Sequence, residues 1–436
     1  MPFFIFMDIE KLYTAYLNSS KVCTDTRKIS KGVIFFCIKG PKYDGNKFAL
    51  EAFNSGAKYI VVDNPKYFVK NSKFFLVNNS ISTIQDLAIY HRSKIKTKII
   101  AITGSNGKTT TKELLLSVLS IKYDTIATKK NLNNHIGVPL TILNFKNTTE
   151  FGIVEMGANH LGEINLLCKI ADPNFGYITN FGKAHLEGFG SFDSIIKGKS
   201  ELYEYIIRKN GTIFINGDDK HQIKYQNKSN SYTFSKEGSS DLKISQINFK
   251  NKFINAYFKK TEIKSNLIGD YNFSNISSAI AIGTFFNLNI DEISIGIKNY
   301  LPLNNRSQWV NKGSNTILMD AYNANPSSMR FSLVSFMKNT NSKKRVIILG
   351  DMLELGDYSK KEHQNLIDFI SDFEIEKLIL IGENFFNSKI KIKNIYKFKT
   401  ILEASEFIKK IKFNNTNIFL KGSRGLALEN ILKFIN

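Results

Sequence analysis

The segment Thr103–Thr109 reads Thr-Gly-Ser-Asn-Gly-Lys-Thr and has the composition of a phosphate-binding loop. It follows Lys98–Thr103, predicted as a buried strand, and precedes Thr109–Ser120, predicted as a helix. Backbone N–H groups of such a turn form a nest for anions, the lysine neutralises phosphate oxygens, and a hydroxyl can reach Mg²⁺. The loop is shorter than the general pattern, because residue 102 is Ile. It still predicts binding of ATP or GTP, with a plain glycine turn as the alternative.

A carboxylate lies at the end of one further predicted strand of this region, and an imidazole follows another. Glu155 lies in the apolar stretch Phe151–Met156, and His185 comes after the stretch Phe175–Thr179. In open α/β sheets, ligands bind beyond the carboxyl ends of the strands, so we expect both side chains to lie near the phosphate loop. A carboxylate beside bound phosphates indicates a Mg²⁺ ligand. For His185 the alternative is a histidine that only packs in its loop.

Lys199 lies on the apolar stripe of a predicted helix, Phe192–Ile207. It is one turn from Ile195 and one turn from Leu202, whereas Lys197 faces the other way. Partial burial lowers the pKa of a lysine, and its neutral amine can then add CO₂ to form a carbamate, which is an anionic ligand for Mg²⁺. The alternative is a lysine whose ammonium group reaches back to solvent.

The elements that must position these side chains predict an α/β protein of three domains. A chain of 436 residues is too long for one ordinary domain. Strands alternate with helices in the middle of the chain, which indicates a parallel sheet with helices on both faces. A small α/β domain is expected before it and a Rossmann-like α/β domain after it. The polar segment His91–Lys98 and the residues after Pro302 mark the breaks, so the expected domains are 1–95, 96–302 and 303–436.

Further strands and helices follow from short apolar runs and from helical periodicity. Residues 229–268 are polar and alternating, which predicts β structure before a helix that begins at about Phe273. The other predicted elements are strands Val33–Ile38, Tyr59–Val62, Phe74–Val77, Thr212–Ile215, Thr316–Met319, Arg345–Leu349, Lys377–Ile381 and Asn417–Leu420, and a helix over Leu161–Ile170.

The composition narrows the class of partner. The net charge is +22, which favours a nucleic-acid-stimulated ATPase as a second hypothesis. However, seven arginines stand against 53 lysines, and the lysines are spread along the chain. Arginine makes most bidentate contacts to bases and phosphates, so we attribute the charge to a general Lys/Asn/Ile/Phe bias and expect no nucleic-acid partner. A basic surface would still attract anionic small molecules.

The cysteines and the apolar runs predict where the protein works. Three scattered cysteines allow neither a disulfide framework nor a metal site, which is typical of a reducing cytoplasm. The first residues are apolar but lack a basic segment, and the apolar runs elsewhere have the length of strands. We therefore expect a cytoplasmic protein that is not embedded in a membrane.

Seven motifs of the central and C-terminal parts of the chain together resemble the Mur ligases of peptidoglycan synthesis. Thr24–Arg27 with Gly40–Phe48 is similar to the uridine-nucleotide domain of that family, so the resemblance extends over residues 24 to 424. The motifs are Thr103–Thr109, Asn131–Pro139, Glu155–Ile164, Ala184–Gly190, Asp320–Pro326, Gly350–Gly356 and Lys421–Arg424. The resemblance implies an ATP-dependent amide ligase. It is strongest to the member that joins D-alanyl-D-alanine to the terminal carboxylate of UDP-N-acetylmuramoyl-tripeptide through an acyl phosphate. A monomer is expected, and a sister ligase such as a folylpolyglutamate synthetase is the third hypothesis.

The resemblance also implies a role for individual residues. ATP phosphates would be held by Gly104, Ser105, Asn106, Gly107, Lys108, Thr109 and Thr110. Two Mg²⁺ ions would be served by Thr109, Glu155, His185 and carbamylated Lys199, and the catalytic set would be Lys108, Glu155, His185 and Lys199. The remaining nucleotide contacts would come from Asn272, Arg306 and Asp320, and substrate contacts from Thr26, Arg27, Asn133 and Asn134.

Two positions depart from the family pattern, and both concern the nucleotide. Tyr271 stands before Asn272 where the family usually has histidine, and Asn305 precedes Arg306 where the family usually has glycine. The adenine contact and the local turn are therefore expected to differ. Because three domains would hold three ligands, we also expect the domains to close around them, with hinges near residues 91–98 and 300–305.

Overall fold

Three mainly parallel sheets follow one another along the chain, which confirms the predicted α/β class. The computed structural model describes residues 8–228, 230–248, 253–302, 307–340, 344–390 and 393–435. In the part of the chain that is described, no helix has both the length and the apolar character needed to cross a membrane.

The N-terminal unit is built on a four-stranded parallel sheet in the order β1-β2-β5-β6, beside a two-stranded hairpin of β3 and β4. Its sheet strands are almost wholly apolar, because helices cover both faces of a parallel sheet. The elements of this unit are α1 (Ile9–Leu17), β1 (Val22–Cys23), β2 (Ile34–Phe36), β3 (Lys39–Gly40), β4 (Tyr43–Asp44), α2 (Ala49–Asn54), β5 (Tyr59–Val62), β6 (Phe74–Leu76) and α3 (Ser80–Lys94).

The central unit contains a seven-stranded, all-parallel sheet in the order β13-β12-β11-β10-β7-β9-β8. Strand β7 lies between β9 and β10, so the strand order reverses around it, and such a switch point opens a crevice at the carboxyl ends. The elements are β7 (Lys98–Thr103), α4 (Lys108–Leu119), β8 (Thr125–Ala127), α5 (Gly137–Ile142), β9 (Phe151–Glu155), α6 (Glu163–Ala171), β10 (Phe175–Ile178), α7 (Leu186–Phe189), α8 (Phe192–Arg208), β11 (Thr212–Asn216), β12 (Asn230–Ser235) and β13 (Leu242–Lys243).

A small antiparallel sheet and two helices complete the central unit. They are β14 (Ser245–Asn248), β15 (Ile254–Phe258), β16 (Thr261–Ile263), α9 (Phe273–Phe285) and α10 (Ile290–Asn299). The predictions of β structure before residue 268 and of a helix from Phe273 are confirmed. Helices α9 and α10 pack against α4, which carries the phosphate loop at its start.

The C-terminal unit has a six-stranded sheet in the order β17-β18-β22-β19-β20-β21, in which only β17 is antiparallel to its neighbour. Its four inner strands were predicted, but the two edge strands were not, because an edge strand is short and half polar. The elements are β17 (Gln308–Lys312), β18 (Asn315–Met319), α11 (Pro326–Lys338), β19 (Arg345–Gly350), α12 (Ser359–Ile370), β20 (Lys377–Ile381), α13 (Glu383–Phe386), β21 (Ile395–Phe398), α14 (Ile401–Lys409) and β22 (Asn417–Lys421).

Helix α3 joins the N-terminal unit to the central unit by packing against α1 and against α5 and α6. In its last turn His91 is buried: its Nε2 donates to the carbonyl of Phe145 at 3.0 Å, and the Tyr13 hydroxyl donates to its Nδ1 at 3.2 Å. The prediction of a polar connector over residues 91–98 is therefore wrong for its first half. The helix continues to Lys94 because its polar side chains find partners in the interface.

Candidate active site

A cavity of about 1380 Å³ lies where the carboxyl edge of the central sheet faces the C-terminal unit. Twelve of the predicted site residues line it: Ser105, Asn106, Gly107, Lys108, Thr109, Thr110, Asn133, Asn134, Glu155, His185, Asn272 and Asp320. The cavity lining does not include Gly104, Lys199, Thr26 or Arg27. Arg306 lies outside the described residues.

The phosphate loop connects β7 to α4 and depends on two glycines. Gly104 has a backbone φ of +138° and Gly107 a φ of +80°, values that residues other than glycine rarely adopt. A Cβ on Gly104 would collide with Oγ1 of Thr179, just after β10. The Lys108 ammonium donates to the carbonyl of Gly104 at 2.6 Å. Because α4 begins at Lys108, the positive end of its dipole lies at the cavity wall.

Glu155 ends β9 and is only 2% exposed. Its backbone pairs with Ile102 of β7, so the ends of the two strands lie side by side. Its Oε1 accepts a hydrogen bond from the side-chain amide of Asn133 at 2.8 Å. Its Oε2 has no hydrogen-bond partner among the described residues. A buried carboxylate oxygen without a donor is costly, and a hard cation such as Mg²⁺ fits it.

Lys112 is the cation next to that oxygen, and it was not among the residues predicted from the sequence. It is 0% exposed, and its Nζ lies 4.0 Å from Oε2 of Glu155. The same ammonium donates to the carbonyl of Thr128 at 2.6 Å and lies 2.8 Å from the carboxylate of Glu113. Its position one helical turn after Lys108 was the available signal, because residues four apart share a helix face.

His185 precedes α7 in a left-handed conformation, with φ +55°. Its Nδ1 lies 2.5 Å from Oε2 of Glu354, which belongs to the C-terminal unit. The contact with His185 holds the pKa of Glu354 below its usual value, although partial burial opposes this shift. Glu354 lies in the motif Gly350–Gly356, but the sequence did not indicate a role for it. Both side chains line the cavity.

Lys199 faces inward from α8, as its helical position predicted, and is 1% exposed. Its Nζ donates to the carbonyl of Ala158 at 3.0 Å and lies 5.1 Å from the ring centre of Phe189. Burial holds the pKa of this lysine well below its usual value, with a smaller contribution from the charge of Lys108. The alternative of a solvent-reaching ammonium is therefore wrong. Ala158 lines the cavity, so Lys199 lies directly behind the cavity wall.

Asp320 follows β18 and is held by three donors: the backbone N–H of Ser307 at 3.1 Å, the hydroxyl of Ser332 at 2.7 Å and the ammonium of Lys421 at 2.5 Å. Burial disfavours its charge, but the charge of Lys421 and these hydrogen bonds keep the pKa of Asp320 below its usual value. Ser307 also shares a hydrogen bond with the hydroxyl of Tyr271 at 2.6 Å. Tyr271 thus joins the central and C-terminal units, a contact that the sequence did not reveal.

Two predicted contact residues use their side chains inside the protein. Asn272 donates to the carbonyl of Ile268 at 2.7 Å and accepts from Asn275 at 2.8 Å. Asn134 accepts from the backbone N–H of Gly137 at 2.9 Å and so stabilises the start of α5. Both amides are therefore engaged in hydrogen bonds within the protein, whereas Oε2 of Glu155 has no such partner among the described residues.

Thr26 and Arg27 form a 3₁₀ helix in the N-terminal unit, apart from the cavity. The Arg27 side chain is 87% exposed, and its Nε donates to Asp25 at 2.9 Å. The hydrogen bond from Arg27 holds the pKa of Asp25 well below its usual value.

Comparison with known proteins gives one consistent result along the whole chain. Residues 19–96 match the Mur ligase family, catalytic domain; residues 102–283 match the Mur ligase middle domain; and residues 305–424 match the Mur ligase, glutamate ligase domain. A Bacillus subtilis protein named UDP-N-acetylmuramoyl-tripeptide–D-alanyl-D-alanine ligase is 31% identical over 424 residues, which cover 94% of this chain and 92% of that protein.

Solved structures agree with the sequence comparison. A crystal structure of MurF from Acinetobacter baumannii has a TM-score of 0.85 and 26% identity, covering 98% of this chain and 97% of that one. The MurF ligase from Thermotoga maritima in complex with ADP has a TM-score of 0.82 and 26% identity, covering 96% and 97% of the two chains. From these matches and the site geometry we conclude that the chain belongs to the Mur ligase family.

Proposed function

We propose that the protein is an ATP-dependent amide ligase that joins D-alanyl-D-alanine to the terminal carboxylate of UDP-N-acetylmuramoyl-tripeptide. The observation that carries the proposal is the placement of Glu155 and the phosphate loop in one cavity, with Oε2 of Glu155 unpartnered among the described residues. The printed names of the full-length relatives support the choice of substrates.

The proposed reaction transfers the terminal phosphoryl group of ATP to the tripeptide carboxylate, which gives an acyl phosphate. The amine of D-alanyl-D-alanine then attacks the acyl carbon, and phosphate leaves. Such chemistry depends on positioning and on neutralisation of charge more than on a protein nucleophile. Lys108 and the loop N–H groups would bind the phosphates, and the C-terminal unit would exclude water, which otherwise hydrolyses the acyl phosphate.

The donor set fits Mg²⁺. Glu155 supplies a carboxylate oxygen, Thr109 a hydroxyl and His185 an imidazole. Burial holds the pKa of Lys199 well below its usual value, which favours the neutral amine from which a carbamate forms. Bound Mg²⁺ would neutralise phosphate charge. We propose that the site binds ATP with two Mg²⁺ ions, and that carbamylated Lys199 is a ligand of the second ion.

We assign the ligands to three domains. Residues 1–95 would bind the uridine nucleotide through Thr26 and Arg27, with Asn133 and Asn134 of the central unit nearer the peptide. Residues 96–302 would bind ATP, and residues 303–436 would complete its site through Arg306 and Asp320, with Asn272 near the adenine. We further propose that the protein is a cytoplasmic monomer. The third residue of its tripeptide substrate would be either diaminopimelate or lysine.

A phosphate-release assay tests this proposal. The protein is given ATP, Mg²⁺ and each of the two tripeptides, with and without D-alanyl-D-alanine. We expect phosphate release that requires both substrates, and a product that carries the dipeptide. Stimulation by DNA or RNA but not by the two substrates would refute the ligase, and turnover with folate and glutamate instead would indicate the sister activity.

A further inference from the structure

Two loops from different units meet beside the cavity, and we call their contact the His185 seam. Residues 183–190 of the central unit form one side, and residues 354–358 of the C-terminal unit form the other. The backbone N–H of Glu187 donates to the carbonyl of Glu354 at 3.2 Å, and the hydroxyl of Tyr358 donates to the carbonyl of Gly190 at 3.0 Å. The seam is therefore held by hydrogen bonds at both ends.

The side chains at the centre of the seam are positioned at a conformational cost. His185 has φ +55° and Glu354 has φ +62°, so both non-glycine residues adopt the left-handed region. Such conformations persist where the surrounding structure imposes them, and they concentrate at functional sites. Here they bring Nδ1 of the imidazole to 2.5 Å from Oε2 of Glu354.

This contact gives the two nitrogens of the His185 ring different roles, one toward the carboxylate and one toward a ligand. A histidine that binds a metal through one nitrogen usually donates its other N–H to a carboxylate, which fixes the ring and makes it a better ligand. Nδ1 of His185 is in close contact with Oε2 of Glu354, although it makes no hydrogen bond among the described residues. A carboxylate at this distance leaves Nε2 as the nitrogen for a ligand in the cavity that both residues line.

We propose that Glu354 is a positioning residue that crosses from the C-terminal unit to orient His185, so that the cation site is complete only when these two units are packed together. The inference rests on the proposed function for its cation. It adds that metal binding and domain closure are coupled through one carboxylate. A cation would bind less tightly when the C-terminal unit is displaced, and closure would be favoured by the cation to the same extent.

Binding of Mn²⁺ to the full-length protein loaded with ATP tests the proposal without the ligation reaction. The electron paramagnetic resonance signal of free Mn²⁺ reports the bound fraction. We expect Glu354→Gln to weaken Mn²⁺ binding about tenfold or more. Tyr358→Phe removes another hydrogen bond of the same seam without touching the imidazole, and we expect its Mn²⁺ affinity to stay within about twofold of the wild type.

A double-mutant cycle with His185→Gln separates orientation from a structural effect. If Glu354 acts through His185, Glu354→Gln has no further effect on Mn²⁺ affinity in the His185→Gln background. Unchanged binding by the single Glu354→Gln variant, or an equal loss in both backgrounds, would overturn the inference. Ligation by the wild type is measured separately, so a protein that binds Mn²⁺ as expected but does not ligate contradicts the proposed function alone.

Discussion

Buried ionisable side chains near the cavity are held in pairs across elements. Lys112 lies beside Glu155, and Lys421 binds Asp320. Removing one member of a buried pair is strongly destabilising, because the other charge loses its partner in a region with little water. The sign and size of mutational effects should therefore depend on the pair rather than on the exposure of the mutated residue alone.

Lys112→Met should lower the free energy of unfolding by about 3–5 kcal/mol, because it leaves the carboxylate of Glu155 uncompensated. Mg²⁺ with a non-hydrolysable ATP analogue should then stabilise this variant more than the wild type, since a bound cation replaces the lost charge. Urea unfolding with and without the ligand measures both effects. Lys169→Met, on the exposed face of α6, is the control, and equal stability of Lys112→Met and wild type would contradict the expectation.

Lys108→Ala should abolish ligation and leave the fold intact. The variant loses the positive charge of the phosphate loop and the hydrogen bond to Gly104, but no part of the apolar core. Phosphate release should fall by at least about 100-fold, while the thermal midpoint changes by a few degrees at most. Turnover near the wild-type rate would remove Lys108 from the phosphate site.

At the scale of elements, the site depends on how strands and helices meet. The ends of β7, β9 and β10 lie side by side because their register is parallel and nearly even. Helix α4 starts directly after the phosphate loop, and α3 connects the N-terminal unit to the helices that cover the central sheet. Changes at these junctions should alter binding or stability without removing any ligand-contacting group.

Gly104→Ala should reduce nucleotide affinity strongly, because the new Cβ meets Thr179 and the backbone φ of +138° is unfavourable for alanine. Gly162→Ala is the matched control: its φ is also positive, at +85°, but nothing lies within 4 Å of its Cβ. We expect the control to lose about 1 kcal/mol of stability and to keep nucleotide binding. Calorimetric titration with ADP measures the affinities, and similar values for both variants would contradict the steric argument.

The junction at α3 should make stability depend on pH. Burial lowers the pKa of His91 below its ordinary value of 6.5, and its neutral ring satisfies both Tyr13 and Phe145. The unfolded chain therefore takes up a proton below about pH 6.5 that the folded chain resists, so stability falls as the pH decreases. The His91→Gln variant should lack this pH dependence of the free energy of unfolding, whose slope is at most about 1.4 kcal/mol per pH unit.

Urea unfolding at pH 7.5 and pH 5.5 measures the effect of His91. The stability difference between wild type and His91→Gln should shrink at the lower pH. The exposed His135, replaced by Gln, serves as the control. A difference that is constant over this range would show that His91 is not the group responsible.

At the scale of the whole molecule, the three units are joined in different ways. One continuous apolar core runs from the N-terminal unit through α3 into the central unit, and it also includes Met329, Leu333 and Phe336 of α11 in the C-terminal unit. The C-terminal unit also meets the central unit through polar contacts at the cavity, such as the 2.8 Å hydrogen bond from Asn325 to Asn106 of the phosphate loop. These polar contacts exchange readily with water, so we expect the C-terminal unit to move most.

Closure of the C-terminal unit should be visible by solution scattering. The radius of gyration should fall when an ATP analogue and UDP-N-acetylmuramoyl-tripeptide bind together, because the ligands bridge units that otherwise separate. Either ligand alone should have a smaller effect. Identical scattering profiles with and without both ligands would contradict the expected motion and indicate a preassembled site. Of the expected hinge at residues 300–305, the second half, 303–305, lies outside the described residues.

The sequence by itself determined the features that depend on near neighbours in the chain. Alternation of apolar strands and helices indicated the α/β class, the glycines and Lys108 indicated the phosphate loop, and the helical period placed Lys199 inside. These patterns are local because a strand, a turn or a helix face is defined within a few residues. They also placed Glu155 at the end of one predicted strand and His185 after the next, and both side chains line the cavity.

Only the tertiary structure decided which side chains meet. The partners Lys112 and Glu155, His185 and Glu354, and Tyr271 and Ser307 come from separate elements, and no period of the sequence relates them. Strands β17 and β21 could not be predicted from apolar runs, because pairing at the edges of the sheet stabilises them instead. Helix α3 continued through a polar segment because the folded interface buries His91. Such contacts join residues that are far apart in the chain, so they depend on the packing of the whole fold.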